Sequence, residues 1–184
     1  LPLLFVLIGS FWLVFDDLKQ EFLTNFNHDL NASGTAFRSR EKQRFRSLAT
    51  IAGFLEGSPS FRNVLRRSDD KTIFQYLVDV GEPTDADVIL VTDAQGVLLV
   101  RSDQEGEKGT SLLEVPVFAE ALQGAYSEGY WSDGGSLFQI VSIPLVDSFD
   151  YVDGSLTLGI RIDQAFLSRI GHELRVEVAY LGKP

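Results

Sequence analysis

The sequence predicts an α+β fold in which one long N-terminal helix packs on a five-stranded antiparallel sheet with short flanking helices. Two observations carry this. Between Leu18 and Leu55 apolar side chains recur at steps of three and four, and no proline interrupts the chain between Pro2 and Pro59. From Val88 onward the pattern changes to short β-type apolar runs separated by turns rich in glycine and aspartate.

Residues 1–15 (LPLLFVLIGSFWLVF) carry no charge and no polar side chain except Ser10. Fifteen helical residues span about 22 Å, short of the ~30 Å hydrocarbon core. A signal-peptide core and a buried helix are the alternatives. The helical register continues across Asp16 and no small-residue cleavage motif follows, which favours the outer end of a transmembrane helix. The absence of Met fits a chain cut from a longer one. Residues 16–57 read as a stalk and dimerisation helix. Leu18, Phe22, Phe26, Leu30, Ser33 and Phe37, then Phe45, Leu48, Ile51, Phe54 and Leu55, mark one face of a helix of about 40 residues, ~60 Å long. Gly34 weakens it by about 1 kcal/mol relative to Ala. The basic run from Arg38 to Arg46 is expected to be a solvated face, and the triplet Asn31-Ala32-Ser33 a chance glycosylation sequon.

Residues 58–174 form the lobe. Gly57-Ser58-Pro59-Ser60 ends the long helix and a short one follows over Phe61–Arg67. Ser68-Asp69-Asp70 caps a second helix with Ile73, Phe74, Leu77 and Val80 inward and Gly81 closing it, and Glu82–Asp85 is a loop. The runs VILV (88–91) and VLLV (97–100) flank TDAQG, a hairpin signal. A polar loop over Gly106–Ser111 leads to a helix over Pro116–Gln123, with proline early and Gly124 just past its end. Tyr126–Trp131 and Leu137–Leu145 make a second hairpin around Ser-Asp-Gly-Gly. Asp147–Gly154 is a turn, Leu156–Asp163 a strand, and Gln164–Leu174 a helix. Residues 175–184 open with RVEVAYL, an extra strand or the start of a second lobe.

Charge and chemistry narrow the function. Net charge is −10, and it is uneven: residues 1–71 hold ten Lys/Arg against eight Asp/Glu, residues 72–184 six against eighteen. An acidic lobe repels phosphate backbones, so no nucleic-acid partner is expected. With no Cys, disulfides, thiolate metal sites and cysteine nucleophiles are all excluded. The two histidines, His28 on the stalk and His172 near the end of the last helix, accompany no nucleophile pattern. There is no nucleophile elbow, phosphate loop or dinucleotide fingerprint, so neither enzymatic activity nor a cofactor is expected. Asp147, Asp150 and Asp153 recur every third residue, whereas calcium loops use alternate positions and a distant bidentate Glu. They read as a solvated turn, with no metal site.

Four features of 88–163 resemble the PAS-like fold of extracytoplasmic Cache sensor domains. They are the hairpin ILVTDAQGVLLVRSD, the glycines Gly106 and Gly109 leading into VFAEALQG, the paired strands ending SLFQIVSIPLV, and the strand GSLTLGIRID running into a helix. The resemblance implies a receptor. A transmembrane helix continues into the long helix, two chains dimerise through it, and a small molecule binds in the cavity of the curved sheet. The domain lies outside a bacterial inner membrane and drives a histidine kinase, cyclase, diguanylate cyclase or chemotaxis module inside. Tyr130-Trp131 and Arg101 stand in a different order and spacing from the amine-plus-carboxylate pattern of amino-acid-binding members, so that ligand class is not implied.

The candidate ligand-binding residues are Arg101, Asp103, Tyr126, Tyr130, Trp131, Phe138, Gln139 and Ser142. Arg101 and Asp103 follow the second strand, where a guanidinium facing the cavity would grip an anion bidentately or else form an ion pair. The others lie on adjacent strands as aromatic walls with a few polar groups, the composition of small-molecule sites. Along 137–143 the side chains alternate: Phe138, Ile140 and Ser142 share one face, and Leu137, Gln139, Val141 and Ile143 the other. Which face is inner stays open at this stage. The rival reading is a dimerisation or protein-interaction module without a small-molecule ligand.

Overall fold

The computed structural model describes residues 38–163, together with Phe166 and Ser168. The expectations for residues 1–37 and for most of 164–184 therefore lie outside the described residues. They include the apolar end, the first part of the stalk with His28, the last helix with His172, and the extra strand.

Helix α1 (residues 38–56) buries Phe45, Leu48 and Leu55 as the three-and-four spacing predicts, but Ile51 is half-buried and Phe54 is exposed, because Ala52, four residues after Leu48, takes the inward position. Arg38, Arg40, Lys42 and Arg46 are exposed, as expected for a solvated basic face, but Arg44 of the same run is half-buried and donates to Gln139. Helix α2 (Pro59–Arg67) starts with Pro59, whose missing N–H would have had no partner in a first turn. Helix α3 (Asp70–Gly81) is capped by Asp69, which accepts a 2.8 Å bond from the Thr72 N–H. The α-helix ends at Gly81 as expected, but not by a left-handed stop there, and Glu82–Thr84 is not the expected loop. Gly81 keeps helical angles (φ −64°, ψ −40°), and the chain continues into a 3₁₀ turn over Glu82–Thr84. Pro83 is tolerated there because its fixed φ suits a helical first turn. Asp85, at φ 56°, makes the left-handed stop instead.

Five strands follow: β1 (Val88–Asp93), β2 (Leu98–Arg101), β3 (Ser127–Asp133), β4 (Ser136–Val146) and β5 (Val152–Arg161). Their spatial order is β2-β1-β5-β4-β3, with every pair antiparallel. Helix α4 (Pro116–Leu122) lies between β2 and β3 in sequence and packs on β3, β4 and β5. Strand β5 begins earlier than the sequence predicts, so Gly154 is inside the sheet rather than in a turn. A Cβ there would sit 2.0 Å from the Thr92 carbonyl oxygen, so only glycine permits this approach of β1 to β5. Asp147 takes the turn role: its Oδ1 accepts from the Phe149 N–H at 2.8 Å and the Tyr151 N–H at 3.0 Å.

The sheet separates two cores. On one face Ile89, Val91, Val100, Val141, Leu156 and Leu158 pack with the inward side chains of α1, Phe61 of α2 and Leu77 of α3. On the other, Val88, Leu90, Leu98, Trp131, Phe138 and Ile140 pack with Val117 and Phe118 of α4 and Leu112 of the preceding loop. A sheet covered on both faces explains the near-continuous apolar run of β1, whose first five residues are all buried.

Candidate functional site

The pleat assigns the eight candidates. On the α4 face, cross-strand pairing aligns Arg101 with Leu90, Trp131 with Phe138, and Ser142 with Thr157. Tyr130 and Gln139, one residue along on β3 and β4, pair with each other on the α1 face. Tyr126 precedes β3 and is half exposed, its hydroxyl donating to Glu128. Partial burial of the ring, then that bond, push its phenol above the usual range. The structure thus brings together Arg101, Asp103, Trp131 and Phe138, with Ser142 on the same face but further along it, bonded to Thr157. It leaves Tyr126, Tyr130 and Gln139 away from them.

Arg101 is the centre of the α4 face. It ends β2, it is 1% exposed, and its guanidinium is held by three carboxylates. Nε and Nη2 donate to the two oxygens of Asp103 at 2.7 and 2.8 Å, a bidentate pair. Nη1 donates to Asp133 Oδ2 at 2.7 Å and to Glu107 Oε2 at 3.1 Å. The guanidinium also lies 5.2 Å from the ring centroid of Trp131. Burial alone would disfavour the cation. The bonds and charges of Asp103 and Asp133 outweigh it and hold Arg101 above its ordinary range. Arg101 is therefore already saturated, and an anion could reach it only by displacing one of its own carboxylates.

Around this cage the aromatics interlock. Trp131 meets Phe118 edge-on at 5.7 Å and Phe138 at 5.4 Å, and Arg161 covers the Phe138 ring at 5.3 Å. Further along the same face runs a buried hydroxyl stripe. Thr92 bonds Ser155 at 2.8 Å, Thr157 donates to Ser142 at 2.8 Å, and Ser127 donates to Glu120 of α4. Among the described residues no buried side-chain nitrogen or oxygen lacks a partner, and no group of three or more His, Asp or Glu is arranged to hold a metal ion.

Sequence reasoning missed Glu107, Asp133, Phe118 and Thr157. Asp133 sits in the Ser-Asp-Gly-Gly turn and Glu107 between Gly106 and Gly109, so both resemble ordinary loop residues. The available signal was the excess of carboxylates near a lone arginine in a strand, since buried charges must be paired.

The α1 face carries a second polar connection. Tyr130 donates its hydroxyl to Glu41, and its ring meets Phe45 edge-on at 6.2 Å. Burial and the Glu41 bond push its phenol up to about 12. Gln139 accepts from Arg44 Nε at 3.1 Å and donates to the Glu41 carbonyl at 3.4 Å.

No family model and no curated protein matches the sequence. Solved structures do match. The sensor domain of Escherichia coli DcuS is 18% identical, with a TM-score of 0.57 over 73% of this chain and 97% of that one. The sensor domain of the Vibrio cholerae histidine kinase DctB is 16% identical, with a TM-score of 0.64 over 85% of this chain and 60% of that one. The ligand-binding domain of the Campylobacter jejuni chemoreceptor Tlp3, solved with L-valine, is 10% identical, with a TM-score of 0.58 over 86% of this chain and 65% of that one. The chain thus spans less than two thirds of the DctB and Tlp3 domains. What these likenesses share is the fold: an α+β, PAS-like fold of the Cache sensor type, as the strand and helix pattern predicts. Among the described residues no helix is long and apolar enough to cross a membrane.

Proposed function

We propose that this chain is the extracytoplasmic ligand-sensing region of a bacterial membrane receptor, driving a histidine kinase, cyclase, diguanylate cyclase or chemotaxis module. Residues 1–15 would anchor it, and the helix from residue 16 would pair two chains and carry the signal. The observation that supports this best is the sharing of β3 and β4 between the two faces. Trp131 and Phe138 touch the Arg101 side, while their neighbours Tyr130 and Gln139 hold α1. A shift of these strands on one face must move the contacts on the other.

In this reading Arg101, Asp103, Trp131, Phe138 and Ser142 line the ligand site, and Tyr130 and Gln139 transmit. The cage holds one guanidinium and three carboxylates, so it favours a ligand that presents a cationic group over one that presents an anion. Ligand binding would shift the population between two arrangements of α1. A thermal-shift screen of anionic, neutral and cationic metabolites tests it. A specific ligand at 100 times its Kd stabilises by about 2.7 kcal/mol. The expected result is a cationic or amine-bearing hit that Trp131→Ala abolishes. The absence of a hit in any class would overturn the sensing reading. It would favour the second one, a dimerisation or partner-binding module. One observation already supports that alternative: the α4-face core is closed, with its buried polar side chains satisfied internally.

A further inference from the structure

Two large cavities open on the α1–α3 side of the sheet, away from the Arg101 cage. One, of about 810 Å³, is walled partly by Glu82, Asp85, Asp87 and Ser102 and reaches the end of the described chain at Phe166. The other, of about 610 Å³, lies between α2, α3 and the β1–β2 hairpin, and it is different in chemistry. Its walls include Leu65, Ile73, Val91, Val100 and Leu145. Its volume falls inside the ~300–1,000 Å³ range of small-molecule sites.

The polar groups of this second cavity are charged and held loosely. Arg66 lies 3.8 Å from Asp153, beyond hydrogen-bond distance, with side chains 58% and 60% exposed. Among the described residues the Arg66 side chain makes no hydrogen bond. Lys108 meets Asp70 across the α3 side, again as an exposed pair. Exposed pairs of this kind contribute about 0–1 kcal/mol and exchange readily for another anion. Arg62 is different: it donates to the Glu56 carbonyl at 2.9 Å, to the Glu56 carboxylate and to the Val146 carbonyl at 2.7 Å. It ties the end of α1 to α2 and to the end of β4.

We infer that this cavity is a second ligand site, for a small amphipathic monoanion: an aliphatic body among Leu65, Ile73 and Val100, and a carboxylate taken bidentately by the Arg66 fork in place of its loose, exposed partner Asp153, with Lys108 nearby. The apolar walls reject a fully charged or heavily hydroxylated molecule, because its polar groups would be buried without partners. The guanidinium sets the sign of the headgroup. Occupancy would press on α2 and so on Arg62, one helix turn away from Arg66, which gives the site a route to the end of α1. The site does not depend on what binds at the Arg101 cage.

Hexanoate, hexylamine and 1-hexanol are the probes, titrated calorimetrically into the full chain in lipid nanodiscs, with empty nanodiscs as the blank. Hexanoate is expected to bind above the blank, at least tenfold more tightly than hexylamine or hexanol. Arg66→Glu, an exposed change that leaves the fold intact, is expected to weaken hexanoate at least tenfold and reverse the preference toward hexylamine. Ile73→Trp, which fills the cavity, is expected to abolish binding of all three. Hexanoate binding no better than hexanol, or unchanged in Arg66→Glu, overturns the inference. So does binding that survives in an Ile73→Trp variant whose circular dichroism matches the parent.

Discussion

Replacing Arg101 with leucine isolates the energetics of the cage. The side chain is 1% exposed, and its removal leaves Asp103, Glu107 and Asp133 facing one another without a cation. Removing one partner of a buried ion pair costs about 3–5 kcal/mol, because the remaining charge stays desolvated. Here the exposure of the partners sets the position in that range. Glu107 and Asp133 are 35% and 30% exposed and can turn to water, whereas Asp103 at 11% is more confined. The expected loss is therefore near the lower end, about 3 kcal/mol. With a urea slope of about 2 kcal/mol/M, the unfolding midpoint falls by about 1.5 M. Urea unfolding followed by far-UV circular dichroism measures it. The companion variant Arg101→Leu/Asp103→Asn/Asp133→Asn removes two of the stranded charges and should recover at least half of the loss. A midpoint within about 0.3 M of the parent, or a triple variant no more stable than the single one, would refute the picture of a desolvated, mutually dependent cage.

Three further outcomes follow from local geometry. Gly129→Ala places a Cβ 2.7 Å from Val117 Cγ2, so the buried Val117 side chain or α4 itself must shift, and a loss of about 1–3 kcal/mol is expected in the same urea assay. Tyr130 should ionise near pH 12 by ultraviolet titration. Its pKa is raised on folding, so its contribution is intact below its ordinary value of 10.0 and lost as pH climbs through about 12; Tyr130→Phe should remove that transition. Asp69 is the reverse case: the backbone N–H of Thr72 holds its carboxyl below the usual 3.8. Its stabilisation is full above that value and fades as pH falls through the lowered one. Asp69→Ala should therefore melt lower at pH 7 and converge with the parent in acid.

The element order was readable because periodicity is a local property. The steps of three and four in α1, and the apolar runs around Asp93-Ala94-Gln95-Gly96, need no knowledge of distant residues. Two boundaries were not readable for physical reasons that act at a distance. Gly81 looks like a helix stop, yet the chain turns at Asp85, because Pro83 can continue a helical turn that it cannot interrupt from its first positions. Gly154 looks like a turn residue, yet it is needed where β5 touches Thr92, sixty-two residues earlier. The site was half legible. Alternation along β4 told which residues share a face, but nothing local told which face meets α1. That is decided by Gln139 bonding Arg44 and Glu41, and by Asp133 reaching Arg101 from the opposite edge of the sheet.

These contacts fix α1 at two separate points. Near one end, Glu41 and Arg44 are held by Tyr130 of the edge strand β3 and Gln139 of its neighbour β4. Near the other, Glu56 is held by Arg62, which also binds the end of β4. At 1.5 Å per residue the two clamps lie about 22 Å apart along the helix. The first clamp is adjacent on its strands to the Trp131–Phe138 wall of the Arg101 cage, and the second adjoins the apolar cavity beneath α2. A rigid helix held at two points cannot slide when one clamp moves; it tilts about the other. An event at the cage and an event at the α2 cavity would then tilt α1 about opposite ends, and their effects at the start of α1 would differ in direction as well as size. β4 joins both clamps, from Gln139 to Val146, so a substitution in this strand should alter both responses together, whereas a change confined to α2 should alter only the second.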